Sequence, residues 1–167
     1  KPLQTQYIND YTKEKYLFTK KGDRMNISTI MGRGNFQCAY GGCQADNDEL
    51  PCTIEIKEKN IELLHEYASE NPFIEEDNLE IKNIGRFTVA GASPYWSPLL
   101  NHDASSRFRE SGECKVMSYD AVSNTKYFLH LREQGCGFYE QYKAYVNADA
   151  IIFNSKMYEI ENILGRK

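Results

Sequence analysis

The chain has 167 residues, a formal net charge of −4 and a pI near 5.5. This length suffices for one domain with a hydrophobic core of its own. The acidic balance, without a long run of lysine or arginine, argues against a basic groove for duplex DNA. No segment is long and apolar enough to span a membrane, and none has the pattern of a signal peptide. We therefore expect a single monomeric domain over residues 1–167, with no membrane partner and no groove for DNA.

Five cysteines bear on the cellular compartment. Their odd number leaves one thiol over after two disulfides, and the sequence alone does not give the connectivity. In an oxidising compartment disulfides would stabilise the domain, and the sequon Asn26-Ile27-Ser28 is compatible with secretion. The alternative is a cytosolic protein with five buried, reduced thiols. The cysteines are Cys38, Cys43, Cys52, Cys114 and Cys136.

The first half of the chain predicts a short strand, glycine-containing loops and one helix. Tyr16–Thr19 is typical of a strand, and Met31–Asn35 of a loop whose glycines permit unusual backbone angles. Over 58–69, Ile61, Leu64 and Ala68 recur at helical spacing. Asn71-Pro72 ends this helix, because proline disfavours helical geometry in the residue before it.

The second half predicts strands followed by a helix–strand–helix. Residues 85–90 indicate a strand, 94–100 an extended segment and 101–112 a polar loop. After residue 136, the stripe of Phe138, Tyr142 and Tyr145 predicts a helix, 150–153 a buried strand, and 157–164 a last helix that Gly165 ends. We therefore expect an α+β fold: a twisted antiparallel sheet with a helix packed across it, and a C-terminal helix–strand–helix extension.

A predicted β-hairpin at 112–136 provides the best candidate site. Its strands, 114–119 and 126–131, flank a six-residue turn at 120–125. A symmetric turn places Lys115 opposite His130, Met117 opposite Phe128 and Tyr119 opposite Lys126. Since side chains alternate across a strand, Lys115, Met117, Phe128 and His130 would then share one face. A cation and an imidazole would lie side by side on an apolar floor.

With Phe36-Gln37-Cys38, Lys115-Val116-Met117 and His130 in this order of elements, the chain resembles the fungal guanyl-specific ribonucleases and, more loosely, the secreted ribonuclease-like effectors of powdery mildews. The resemblance covers about 36–136, with 1–35 and 137–167 as extensions. It is carried by Phe36-Gln37-Cys38, which is similar to the effectors' aromatic-x-Cys motif, by Lys115-Val116-Met117 in place of an arginine strand, and by His130 at the separation of the family's catalytic histidine. It implies a Cys38–Cys136 disulfide and secretion.

The resemblance also implies that catalysis has been lost. Ribonucleolytic transesterification needs a base, an acid and a cation for the phosphorane charge. His130 and Lys115 could be the acid and the cation, but in Tyr95-Trp96-Ser97-Pro98-Leu99 the tryptophan occupies the position of the catalytic glutamate. The implied function is that of an inactive, ribonuclease-like virulence effector without cofactor or metal. It would bind a host protein or RNA through Tyr95, Trp96, Phe128 and His130.

Three alternatives stay open at this point. The first is a metal-independent ribonuclease that uses His130 and Lys115 with another base. The second is a Mg²⁺-dependent endonuclease, in which Asp103, Glu113 and Lys115, followed by Gln141 and Tyr145, imitate the order of a restriction-endonuclease-like site. The third is a zinc-binding nucleic-acid module, because Cys38-x4-Cys43 and His65 resemble WRKY-like and FLYWCH-like fingers. There Tyr67 replaces the last histidine, and Cys52 could serve as the fourth ligand.

Overall fold

The computed structural model describes residues 6, 9–10, 17–74, 80–109 and 115–166. Short 3₁₀ turns lie at Arg33–Asn35, Glu58–Asn60, Ile81–Asn83 and Gln141–Lys143. The strands and α-helices are β1 (Ile27–Ile30), α1 (Ile61–Ser69), α2 (Arg86–Ala90), β2 (Leu99–Asn101), α3 (His102–Arg109), β3 (Lys115–Asp120), β4 (Lys126–Leu131), α4 (Gly137–Glu140), α5 (Ala144–Asn147), β5 (Ala150–Phe153) and α6 (Ser155–Ile163).

Two sheets organise these elements. β2, β4 and β3 form an antiparallel sheet in that order, whereas β1 and β5 pair in parallel, from Ile27 with Ala150 to Ile30 with Phe153. The predicted mixed α+β class and the antiparallel sheet are confirmed. The parallel pair was not predicted, because its two strands lie far apart in the sequence and pairing partners leave no local signal.

The hairpin is present, but the predicted register is wrong. Lys115 pairs with Leu131, and His130 faces Val116. The turn is one residue shorter than expected, because Asp120 still belongs to the strand and pairs with Lys126.

Asparagine in the left-handed region makes this shorter turn accessible. Asn124 has a φ of 58°, a conformation that asparagine adopts more readily than most residues. Ala121 N donates to Thr125 O at 3.0 Å and closes the turn. A slip of one residue moves the side chains of one strand to the other face of the pair. Lys115 and Met117 therefore lie on the face opposite Phe128 and His130.

Two segments have helices where the sequence predicted other structure. Arg86–Ala90 is a helix, not a strand, and it packs against α1 around Leu64 and Val89. His102–Arg109 is a helix, not a loop. Its first turn is capped by Asn101, whose Oδ1 accepts from Ala104 N at 3.0 Å.

The C-terminal elements match the predicted ones. The stretch 137–147 is helical throughout, 150–153 is a strand, and α6 ends just before Gly165, whose φ is +62°. In the first segment, Phe18 forms an isolated bridge with Arg24, while Tyr16 lies outside the described residues.

The largest core cluster combines residues from the whole described chain. Phe138, Tyr139, Tyr142 and Tyr145 pack there together with Trp96, Leu129 and Ile30. Residues on both sides of position 136 thus belong to one core. A second cluster, around Ile54 and Leu64, holds α1 and α2. Consequently α1 packs on α2, whereas α3 contacts β2 and β4.

Candidate anion-binding site

The predicted pair of Lys115 and His130 is not assembled. Lys115 is exposed, whereas His130 is fully buried on the other face of the sheet. His130 Nε2 and Ser105 Oγ form a hydrogen bond of 2.7 Å, and Ser105 is fully buried as well. The imidazole is thus engaged by a hydroxyl of α3. The hypothesis of a ribonuclease-derived pocket at these two residues is therefore abandoned.

The other predicted binding residues do not form one surface. Trp96 and Phe128 are buried, and Tyr95 is half-buried. The Trp96 ring meets Phe87 edge-on at 5.6 Å, while the Phe128 ring lies 6.0 Å from that of His102. The binding roles assigned to these side chains stay predictions.

The two metal-site alternatives lack a matching geometry in the described residues. Asp103 is exposed at the start of α3, and Glu113 lies outside the described part of the chain. The Gln141 amide is engaged by Met31, accepting from its N at 2.8 Å and donating to its O at 3.0 Å. Nowhere in the described ranges do three or more histidine, cysteine or acidic side chains gather as a metal ligand set.

The predicted Cys38–Cys136 disulfide is absent, and both residues are buried free thiols. They belong to different core clusters: Cys38 packs with Ala45 and Leu50, and Cys136 with the main aromatic core. Burial raises the pKa of the Cys136 thiol. Cys43 and Cys52 are free as well, and Cys114 lies outside the described residues.

A small recess with an arginine rim is the strongest candidate for a ligand site. Its volume is about 230 Å³. Half-buried side chains surround its opening, and buried aromatic rings form its floor. No carboxylate is among the described residues that line it. We call it the arginine recess, and its lining residues are Arg33, Cys52, Arg86, Trp96, Ser97, Leu99, Phe138, Tyr139, Tyr142 and Arg166.

Arg33 is held over the aromatic floor by the turn that follows β1. Its guanidinium donates to Tyr139 Oη at 2.9 Å and to Cys52 Sγ at 3.2 Å. The same group lies over the Phe138 ring, 4.0 Å from the centroid, which is a cation–π contact. Since Gln141 fixes the adjacent Met31, the turn and the helical stretch are locked together. The guanidinium is therefore fixed by contacts on two sides.

Arg86 reaches the recess from the first position of α2. It donates to Pro51 O at 3.0 Å and to Ile54 O at 2.6 Å. Cys52, which accepts from Arg33, belongs to the same loop as Pro51 and Ile54. One short segment therefore contacts both arginines. Neither Arg33 nor Arg86 forms an ion pair with a described acidic residue.

Arg166, by contrast, is already neutralised. Glu161 of α6 is fully buried and accepts from Arg166 Nε at 2.8 Å and from its Nη2. Burial lowers the pKa of Arg166, but the carboxylate outweighs it and raises that pKa above its usual value. Within the part of the chain that the structure describes, the arginine recess therefore carries two uncompensated positive charges, those of Arg33 and Arg86.

The surroundings shift the pKa values of the two arginines in opposite directions. Burial lowers the pKa of the Arg86 guanidinium, and the like charge of Arg33 lowers it further. For Arg33, burial acts in the same direction, but Tyr139 and Cys52 raise its pKa above the usual value. Two partly desolvated cations without an acid repel each other. An anion between them would relieve this repulsion.

A larger groove elsewhere is a weaker candidate. It has a volume of about 590 Å³ and is mainly apolar, with Asp103 as its charged lining residue. A carboxylate repels a nucleic acid, and no cation is among the described residues that line the groove to offset it. The remaining lining residues are Phe73, Ile74, Phe87, Thr88, Asn101 and Ala104.

Local sequence patterns do not predict that the three arginines meet. Arg33, Arg86 and Arg166 come from three segments separated by more than fifty residues each, and no motif spacing connects them. Gly34, next to Arg33, has a different role, because it allows the close approach of Asp46. A Cβ on Gly34 would meet Asp46 Oδ2 at 2.5 Å.

No family model, no curated protein and no solved structure matches this chain. The resemblance to ribonuclease-like effectors therefore stays a prediction from the sequence. Within the described ranges, no helix combines the length and apolar character needed to cross a membrane.

Proposed function

We propose that this chain is a non-catalytic RNA-binding protein of the secreted, ribonuclease-like effector type, and that the arginine recess is its RNA site. The observation that carries the proposal is the pair of guanidinium groups, Arg33 and Arg86, that line a recess with no carboxylate among its described lining residues. Arginine is the side chain best suited to phosphate, because its planar fork can bind two oxygens at once.

The positions of His130 and Lys115 on opposite faces of the antiparallel sheet support the loss of catalysis. A ribonuclease of the kind that the sequence resembles needs its histidine and its cation at the same phosphate. His130 is fully buried beside Ser105, and Lys115 points away from it on the exposed side of the hairpin. Binding without cleavage is therefore the activity that this arrangement supports best. Secretion and the effector role are proposed from the resemblance alone.

Binding of a fluorescent single-stranded RNA, followed by anisotropy, tests the proposal. We expect the double variant Arg33→Gln/Arg86→Gln to lose about a hundredfold or more in affinity, since each charge-assisted contact contributes about 1.5–3 kcal/mol and about 1.4 kcal/mol is tenfold. The control is Lys115→Gln/Lys126→Gln, which removes the same net charge from two exposed positions. It should stay within about threefold of the wild type, because diffuse surface charge adds little at moderate salt.

Circular dichroism must show that both double variants are folded. Equal affinities of the two variants would disprove the assignment of the recess. The same RNA is also incubated with the protein in EDTA. Metal-independent cleavage that disappears in His130→Gln would contradict the non-catalytic function.

A further inference from the structure

We propose that the arginine recess recognises a terminal phosphate monoester, the free phosphate at an RNA end, and not an internal phosphodiester. This inference rests on the RNA-binding function proposed above and specifies its ligand. Three features of the described residues carry it: the charge of the recess, its small size, and the donors that its arginines leave unused.

The charge of the recess matches a monoester better than a diester. Because Glu161 neutralises Arg166, two positive charges remain, on Arg33 and Arg86. A phosphate monoester carries about −1.5 to −2 at neutral pH, since its second pKa lies near 6. An internal phosphodiester carries a single negative charge. A monoester therefore compensates both guanidinium groups, and a diester leaves one of them unmatched.

The small size of the recess also favours a terminal phosphate. Its volume of about 230 Å³ is below the 300 Å³ or more of typical small-molecule sites. Phe138, Tyr139 and Tyr142, which line it, are buried, so the core occupies the aromatic side of the recess. An internal phosphodiester continues into a sugar on both sides and needs space for both. A terminal phosphate has one attachment, and the rest of the RNA can stay outside.

The unused donors are numerous enough for three oxygens. An arginine has five N–H groups, and Arg33 and Arg86 each use two nitrogens on protein acceptors. The remaining N–H groups of each fork have no protein acceptor in the described part of the chain. Tyr139, Pro51 and Ile54 hold both guanidinium planes before a ligand arrives. Such preorganisation lowers the cost of ordering on binding.

The experiment compares three single-stranded RNAs of one sequence, about ten nucleotides long. One has a 5′-phosphate, one a 3′-phosphate, and one hydroxyl groups at both ends, and each has its fluorophore on an internal base. We expect at least one end-phosphorylated RNA to bind wild-type protein roughly tenfold or more tightly than the hydroxyl form, as expected for one added charge-assisted contact. Inorganic phosphate should displace it.

Arg33→Gln provides the matched variant, and Lys115→Gln the charge control. In Arg33→Gln the three RNAs should bind with equal affinity, whereas Lys115→Gln should keep the preference. If wild-type protein binds all three RNAs equally and Arg33→Gln weakens all of them, RNA binding at the recess stands and the terminal-phosphate inference is overturned. If wild-type protein binds none of them, the proposed function itself fails.

Discussion

The two faces of the antiparallel sheet differ in how the polar side chains near them are partnered. On one face, α3 covers His130, and the imidazole and the Ser105 hydroxyl bond to each other at 2.7 Å, away from solvent. On the other face, Leu99 lines the arginine recess together with Trp96, and two cations there have no acid among the described lining residues. His130, of a residue type common in catalysis, is thus part of the packing on one face. On the other face, Arg33 and Arg86 line a cavity. The unmatched charge, and not the histidine, indicates the ligand site.

We expect the largest effect on stability from a substitution that also leaves a third positive charge at the recess. Glu161→Gln removes the buried partner of Arg166. Breaking a buried ion pair costs about 3–5 kcal/mol, which corresponds to a melting temperature lower by roughly 6–20 °C for a chain of this size. Differential scanning calorimetry measures this change in melting temperature. At temperatures where the variant is folded, a third positive charge should raise its affinity for inorganic phosphate.

Glu159→Gln is the matched control for that substitution. Glu159 lies in the same helix, two residues earlier, and it is exposed. Its replacement should change the free energy of unfolding by less than about 0.5 kcal/mol. Equal melting temperatures of the two variants would show that the Glu161–Arg166 pair does not hold α6 in place.

A smaller effect should arise on the opposite face. His130→Ala leaves a cavity beneath α3 and removes the partner of Ser105. The free energy of unfolding should fall by about 3 kcal/mol, as for other large-to-small core substitutions. RNA affinity of the folded variant should stay within about twofold of the wild type, because the recess is on the other face. Chemical denaturation measures the free energy of unfolding, and fluorescence anisotropy measures the RNA affinity.

This prediction separates the faces most directly. Lys115→Ala, an exposed position on the neighbouring strand, should change neither quantity appreciably. A folded His130→Ala protein that binds RNA ten times more weakly would place the sheet face in the binding site. The comparison on which we base the proposed function would then be wrong.

Much of the fold could be predicted from the sequence, because several elements have strong local patterns. The stripe of Phe138, Tyr142 and Tyr145 gave the helix after residue 136, and Gly165 gave the end of α6. The register of the hairpin could not be predicted, since it depends on one backbone conformation at Asn124. Helix α3 was missed because its described side chains are mostly exposed and only Ser105 is fully buried.

The candidate site could not be predicted at all, for a physical reason. Arginines are frequent on protein surfaces, so Arg33, Arg86 and Arg166 are informative only once the fold brings them together. Which of them keeps an uncompensated charge depends on where Glu161 and the other acids lie. Sequence reasoning favoured His130 because of its predicted position opposite Lys115 and at the separation of the family's catalytic histidine, whereas its full burial is a property of the tertiary structure.

The smallest expected effect is local to the recess and uses Cys52 as a reporter. Its sulfur accepts from Arg33 Nη1 at 3.2 Å, so a ligand on that arginine would cover the thiol. At a phosphate concentration of about ten times the Kd, roughly nine-tenths of the sites are filled. Alkylation of Cys52 by iodoacetamide, followed by peptide mass spectrometry, should then slow by up to about tenfold. Arg33→Gln should abolish this protection.

Cys43 is the internal control, because it is also half-buried and free but does not line the recess. Its alkylation rate should not change with phosphate. Equal slowing at both thiols would mean that phosphate stabilises the whole fold against opening, which is a linkage effect and not occupancy of the recess. Protection of Cys52 alone requires an anion at Arg33, because Cys43 would share in any protection that came from general stabilisation.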